Sequence, residues 1–182
     1  MLQIDLRTLV SKLNSTTRNA LEGATGLCLS RTHYDVEVEH WLLKLIEGSD
    51  TDIEAILQHY DVNLSHLSAD LMRCLDSLKT GNARPPALSP RLVDLAREAW
   101  VLASLDYGES KLRSGHILCA LLNDSDLARI ARDLSPELEK VNPQALRKEF
   151  AGIVASSGET QHDSGLPASA GAAAGTAPKP GG

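Results

Sequence analysis

Few residues in this chain could do chemistry, and two of them are histidines in matching surroundings. His40 sits in Val38-Glu39-His40-Trp41-Leu42 and His116 in Ser114-Gly115-His116-Ile117-Leu118. An imidazole can ligate a metal, move a proton or, in the first turn of a helix, hydrogen-bond a neighbouring backbone group. Neither histidine has a third ligand at metal spacing. Their equivalent placement instead predicts one structural task performed twice, so no metal site is expected. Asp35, Glu37 and Glu39 alternate with valines just ahead of His40, which admits a carboxylate pair for acid and base work. A free-standing enzyme using Asp35, Glu37 and His40 is the corresponding alternative. Acids in a first helical turn satisfy free N–H groups and the positive end of the helix dipole, so the segment is expected to cap a helix rather than form a half-buried strand. Cys28, Cys74 and Cys119 are odd in number, far apart and in apolar surroundings, which predicts buried reduced thiols and a reducing compartment. The patterns GxxxxGK[ST], GxGxxG, HExxH, GxSxG and CxxC are all absent. Nucleotide hydrolysis and metalloprotease chemistry therefore lose their usual support.

Helical spacing governs the elements that carry these residues. Asp5 followed by Leu6, Leu9, Val10 and Leu13 is a capped i, i+3, i+4, i+7 stripe, and the same reading predicts helices near 16–31, 36–47, 51–60 and 65–79. The stretch TGNARPPAL from Thr80, with Gly81 and the Pro85-Pro86 pair, interrupts the series. Ser89-Pro90 is an N-cap with proline in the first turn and opens a helix to about Tyr107. Further helices are expected over 114–123, 125–133 and from Asn142-Pro143 to near Val154. Trp41 and Trp100 fall at core spacing.

The two halves repeat each other. A shift of 76 residues lays VEVEHWLLKLI from Val36 on LRSGHILCALL from Leu112, matching His40 with His116, Leu42 with Leu118 and Leu45 with Leu121. After a two-residue gap, Ile53, Ile56, Tyr60, Leu64 and Leu67 fall on Leu127, Ile130, Leu134, Leu138 and Val141. This is a duplicated four-helix unit whose halves need each other to complete a core. The stripe at 5–13 has no counterpart and stands outside the repeat.

Composition limits what such a body does. Of 182 residues, 42% are hydrophobic, 23% charged and only 3% aromatic, so the core is built from aliphatic side chains that favour helices. With 18 Lys and Arg against 24 Asp and Glu, the net charge of -6 argues against nucleic acid as a partner. No run approaches the ~20 apolar residues of a membrane span, and a soluble, cytoplasmic protein is expected. From Ser156 to Gly182, 21 of the 27 residues are Gly, Ala, Ser, Thr or Pro. That segment reads as a flexible linker over 156–182.

Val38 to Leu43, its echo from Ser114 to Leu118 and the Ser89-Pro90-Arg91 opening resemble the double repeat of Clp/Hsp100 N-terminal domains. More narrowly, LCLSRTHYDVEVEH from Leu27, LKTGNARPPALSPRL from Leu78 and REAWVLASLDYG from Arg97 are similar to the type VI secretion ATPase branch of that family. The resemblance implies an all-α domain of two pseudo-symmetric four-helix repeats, over 15–79 and 89–154 within a body at 15–155. An extra N-terminal helix at 1–14 and a flexible C-terminal tail complete it. It further implies the substrate-recognition part of a hexameric ring unfoldase that takes apart a contracted secretion sheath. The ATPase modules, with their ATP and magnesium, would lie outside this chain, which is itself expected to be a monomer without enzymatic activity. The implied partner is an N-terminal helix of the large sheath subunit, and the implied groove residues are Leu6, Leu9, Val10, Leu13, Ala87, Leu88 and Leu92. His40 and His116 are structural in this reading. A general Clp-type N-domain that binds a proteolytic adaptor is the alternative.

Overall fold

The computed structural model describes residues 5–163. Its helices start where an oxygen-bearing side chain can receive the free N–H groups of a first turn. Asp5 caps α1 (Leu6–Ser11), Asn14 caps α2 (Ser15–Ser30), Thr51 caps α4 (Asp52–His59) and Asn63 caps α5 (Leu64–Asp76). Ser89, Asp124 and Asn142 do the same for α6 (Pro90–Val101), α8 (Ser125–Leu134) and α9 (Pro143–Ile153). The two exceptions are α3 (Val38–Glu47) and α7 (Ser114–Asn123), the helices that carry the paired histidines.

Packing reproduces the duplication. In the first repeat α3 packs against α2, α4 and α5, and in the second α7 packs against α6, α8 and α9. The repeats close on each other through α4 against α7 and α9, and α5 against α8. One hydrophobic cluster runs through both, with Trp41, Leu45, Ile53, Ile56, Leu67 and Leu71 from the first repeat and Leu92, Leu95, Ile117, Leu121, Leu146 and Phe150 from the second. Full burial of each such side chain stabilises by about 1.5–3 kcal/mol. Trp41 is 1% exposed, and its Nε1 donates to the Thr17 carbonyl at 3.1 Å. Trp100 is half-buried, with the Lys12 ammonium 5.3 Å from its ring centre.

Five features depart from the sequence reading. Asp35–Val36 is a short strand, β1, paired in parallel with β2 (Ala87–Leu88), so the third helix starts at Val38 and not at 36. A ladder partner 52 residues along the chain outweighs the local preference for a helix start. The helix from Pro90 keeps α geometry only to Val101 and continues as a π turn over Leu102–Asp106. A 3-10 helix, Pro136–Lys140, occupies the segment matched above with the start of α5. Ser135 caps it and Pro143 bars its continuation. By packing, α9 is therefore the counterpart of α5. The fifth departure concerns the linker. The chain re-enters helix as α10 (Gly158–Asp163), with Ser157 3% and Glu159 2% exposed. The linker boundary at Ser156 is thus corrected, and the remainder of that reading, 164–182, lies outside the described residues.

The three cysteines are free, Cys28 and Cys119 buried and Cys74 half-buried. Burial pushes the Cys28 and Cys119 thiols up to about 11. Among the described residues no helix is long and apolar enough to cross a membrane.

Candidate functional site

α1 has six residues, too few to hold helical form alone in water. Its place is fixed from its C-terminal end. Leu13 forms a parallel bridge with Leu112, Asn14 N donates to the Leu112 carbonyl at 3.0 Å, and Leu112 N donates to the Lys12 carbonyl at 2.7 Å. Lys111 Nζ adds a bond to the Ser11 carbonyl at 2.8 Å. The apolar stripe consequently divides. Leu9 and Leu13, each 2% exposed, enter the core, whereas Leu6 remains 42% exposed and Val10 half-buried. α1 packs against α6, and the β2 residues Ala87 and Leu88 stand directly ahead of that helix.

The Pro-rich turn before β2 is stitched to the turn before β1. Asn82 N donates to the Thr32 carbonyl at 2.9 Å, and the Asn82 side chain donates to the carbonyls of His33 and Arg84. Gly81, at φ 99°, gives its N–H to Thr32 Oγ1 at 2.9 Å. That φ is a backbone region in which any side chain would be strained. After Pro85-Pro86, which have no N–H to give, pairing begins at Ala87, and Ser89 N closes the ladder on the Val36 carbonyl at 3.0 Å. Leu88 is thereby presented half-buried and Ala87 exposed, while Leu92, one turn on, is 1% exposed and packs inward. Of the seven implied groove residues, Leu6, Val10, Ala87 and Leu88 retain accessible surface, and Leu9, Leu13 and Leu92 are buried in the core.

The paired histidines occupy equivalent corners. His40 Nδ1 accepts the Glu37 N–H at 2.9 Å, and His116 Nδ1 accepts the Arg113 N–H at 3.1 Å. Each ring thus receives the N–H of the residue that opens its helix, the reciprocal of the bond by which an oxygen side chain caps the helices elsewhere. With Nδ1 accepting, the neutral ring carries its proton on Nε2. His40 passes it to His33 Nδ1 at 2.8 Å. Among the described residues His116 Nε2 has no hydrogen-bond partner; the ring is stacked with Tyr107 and Phe150 at centroid distances of 5.5 and 4.9 Å. Burial holds His40 down to about 4 and His116 to about 3, with nearby Arg31 and His33 assisting at His40 and Arg113 at His116. Both nitrogens of His40 are therefore engaged. Asp35 and Glu37 border a depression of about 250 Å³ with His33, Tyr34, Leu78 and Lys79, and His40, the imidazole of the enzymatic alternative, does not line it. The carboxylate and imidazole of the enzymatic alternative are not brought together. Among the described residues no cluster of three or more His, Cys, Asp or Glu could hold a metal ion.

One charged cluster escaped the sequence reading. Arg113, 5% exposed, forms a two-bonded ion pair with Asp52 at 2.8 and 2.6 Å, and Glu159 lies beside them. Burial raises Asp52 above the usual carboxylate range, an effect that Glu159 reinforces and Arg113 opposes. A local signal for Glu159 existed. Ser157 followed by Glu159 is a helix-start pattern, and Ser157 Oγ accepts the Glu159 N–H at 3.2 Å. The Gly- and Ala-rich composition around it masked that pattern.

Two duplicated helical repeats with a short helix docked on the second define an all-α domain. The chain belongs to the Clp repeat (R) N-terminal domain family, which matches residues 12–135. It is 33% identical over 178 residues to the AAA+ ATPase ClpV1 of Pseudomonas aeruginosa, covering 98% of this chain and 19% of that protein. The chain spans about a fifth of the length of the curated relatives it matches. The solved N-domain of ClpV from Vibrio cholerae superposes with a TM-score of 0.77 at 34% identity, covering 87% of this chain and 95% of that one. A solved complex of a ClpV N-domain with VipB peptide superposes at 0.73, also 34% identical, over 87% and 97% of the two chains.

Proposed function

We propose that this domain recognises the N-terminal helix of the large type VI sheath subunit for a sheath-disassembling AAA+ unfoldase. The helix would dock in an apolar groove between α1 and the turn that opens α6. The observation that carries the reading is the peptide held by a ClpV N-domain of the same fold, together with the surface that Leu6, Val10, Ala87 and Leu88 leave accessible, read as one apolar strip. An amphipathic helix laying its apolar face on such a strip uses the same physics as other helix-in-groove complexes. α1 forms the added wall and the two repeats the body, with the body extended past 155 to include α10. The division of labour is non-catalytic recognition here and ATP-driven threading, in a cytoplasmic hexameric ring, by modules outside this chain. The isolated domain is then a monomer that takes protein partners rather than nucleic acid or membrane.

Titration of a labelled sheath-subunit helix by fluorescence polarisation tests this. Burying a leucine anchor contributes roughly 1.5–3 kcal/mol, so Leu88→Asp should weaken binding more than about tenfold. The backbone pairing of β2 does not need that side chain, and circular dichroism should report a native fold. Unchanged affinity in folded Leu88→Asp protein would place the groove elsewhere. Affinity for a proteolytic adaptor with none for the sheath helix would support the general Clp-type alternative.

A further inference from the structure

We infer that the segment Ser157–Thr160 fastens the chain's exit from the domain into a carboxylate-binding site, with Glu159 as the ligand, so that the exit and the root of α1 move as one body. Glu159 Oε1 accepts from Asn14 Nδ2 and from Ser114 N, both at 2.9 Å. Its Oε2 accepts from Asp52 N at 2.6 Å and from Ser114 Oγ at 2.5 Å. The four residues are 4% exposed or less. Asp52 and Ser114 are the first residues of α4 and α7. The carboxylate therefore meets the positive ends of two helices, one from each repeat.

Charge balance makes the site specific. Asp52 turns its own carboxylate to Arg113, and without that guanidinium two carboxylates would face each other in a dry interior. Arg113 also donates from Nη2 to Thr160 Oγ1 at 2.5 Å, and Thr160 Oγ1 donates to the Val154 carbonyl at 2.8 Å. Gly158 passes so close to Asp50 that an added Cβ would lie within 2.9 Å of its backbone oxygen, and Gly158 N donates to that oxygen. Four donors saturate both carboxylate oxygens. A glutamine would turn an NH2 group toward two of them.

Asn14 links the fastening to α1. Its N–H holds the Leu112 carbonyl, its Oδ1 caps α2 by accepting Thr17 N at 2.9 Å, and its Nδ2 reaches Glu159 across 145 residues of sequence. Loss of Glu159 would leave buried donors on Asp52 and Ser114 short of a partner, which a dry interior does not tolerate. The loosened root would then free α1, which has no stability of its own.

Thermal melting and hydrogen–deuterium exchange of the full chain against Glu159→Ala and Glu159→Gln test the inference. Both variants should melt roughly 5 °C or more below the parent chain. Exchange over residues 6–14 and at the starts of α4 and α7 should accelerate at least about tenfold, well beyond any change in α3 and α5. Glu159→Gln keeps the size and one acceptor oxygen, and it carries the test if Glu159→Ala fails to fold. Unchanged protection at 6–14, or acceleration spread evenly over the chain, would overturn the inference. Neither readout uses a partner, so the result is independent of the sheath proposal.

Discussion

Acid should unfold this domain through its two capping histidines. An imidazole in an unfolded chain titrates near 6.5, whereas burial holds His40 to about 4 and His116 to about 3 in the folded state. Below about pH 6.5 the unfolded chain therefore binds protons that the folded chain refuses. Stability is full above that value and is lost as the pH falls. A pH of about 5 lies roughly 1.5 below the unfolded value, so each histidine withdraws about 2 kcal/mol and the pair about 4 kcal/mol. That is a large share of the 5–15 kcal/mol that separates folded from unfolded domains. His33, also depressed by burial, acts in the same direction. Asp52 and Glu39, both raised by burial, act in the opposite one, and a single-site comparison removes their contribution. Urea denaturation followed by circular dichroism between about pH 7 and about pH 5 should give a stability slope near 2.7 kcal/mol per pH unit at the acid end, the value for two protons. His116→Asn should lower it by about 1.4 kcal/mol per pH unit, the share of one proton. An equal slope in parent and variant, or no slope in the parent, would refute the assignment of neutral buried rings.

Two further outcomes follow from the packing. Leu6→Ala should shift stability by no more than about 0.5 kcal/mol because Leu6 is 42% exposed, whereas Leu13→Ala should cost about 2–5 kcal/mol from a site 2% exposed. Denaturant midpoints that rank the two alike would mean that α1 is not docked as described. Gly115→Ala should destabilise by about 1–3 kcal/mol, since its Cβ would fall 2.7 Å from the Phe150 ring and 2.8 Å from Asp52 Cβ; a melting temperature equal to that of the parent would show that α7 and α9 can separate at little cost.

The duplication, the helix starts and the paired histidines were legible in the sequence because they rest on short-range physics. Oxygen side chains at Asp5, Ser89 and Asn142 announce helices in the residues that follow, and a shift of 76 residues aligns His40 with His116 whatever the fold. Periodicity also found the stripe on α1. It could not say that Leu9 and Leu13 face the core while Leu6 does not, because which part of a stripe is covered depends on the neighbour that covers it. The same limit hid the β1–β2 pairing, where Val36 and Leu88 are brought together by a turn stitched through Thr32 and Asn82.

What the sequence by itself determined is the class of the body: two mirrored helical repeats, acidic and built on an aliphatic core, with a histidine at the start of each repeat's central helix. Only the tertiary structure decided how the chain is closed. Asn14, Asp52, Ser114 and Glu159 carry no pattern that relates them along the sequence, and each alone is an ordinary polar residue. They become a site because folding carries four polar groups into a dry interior, where donors and acceptors must find one another.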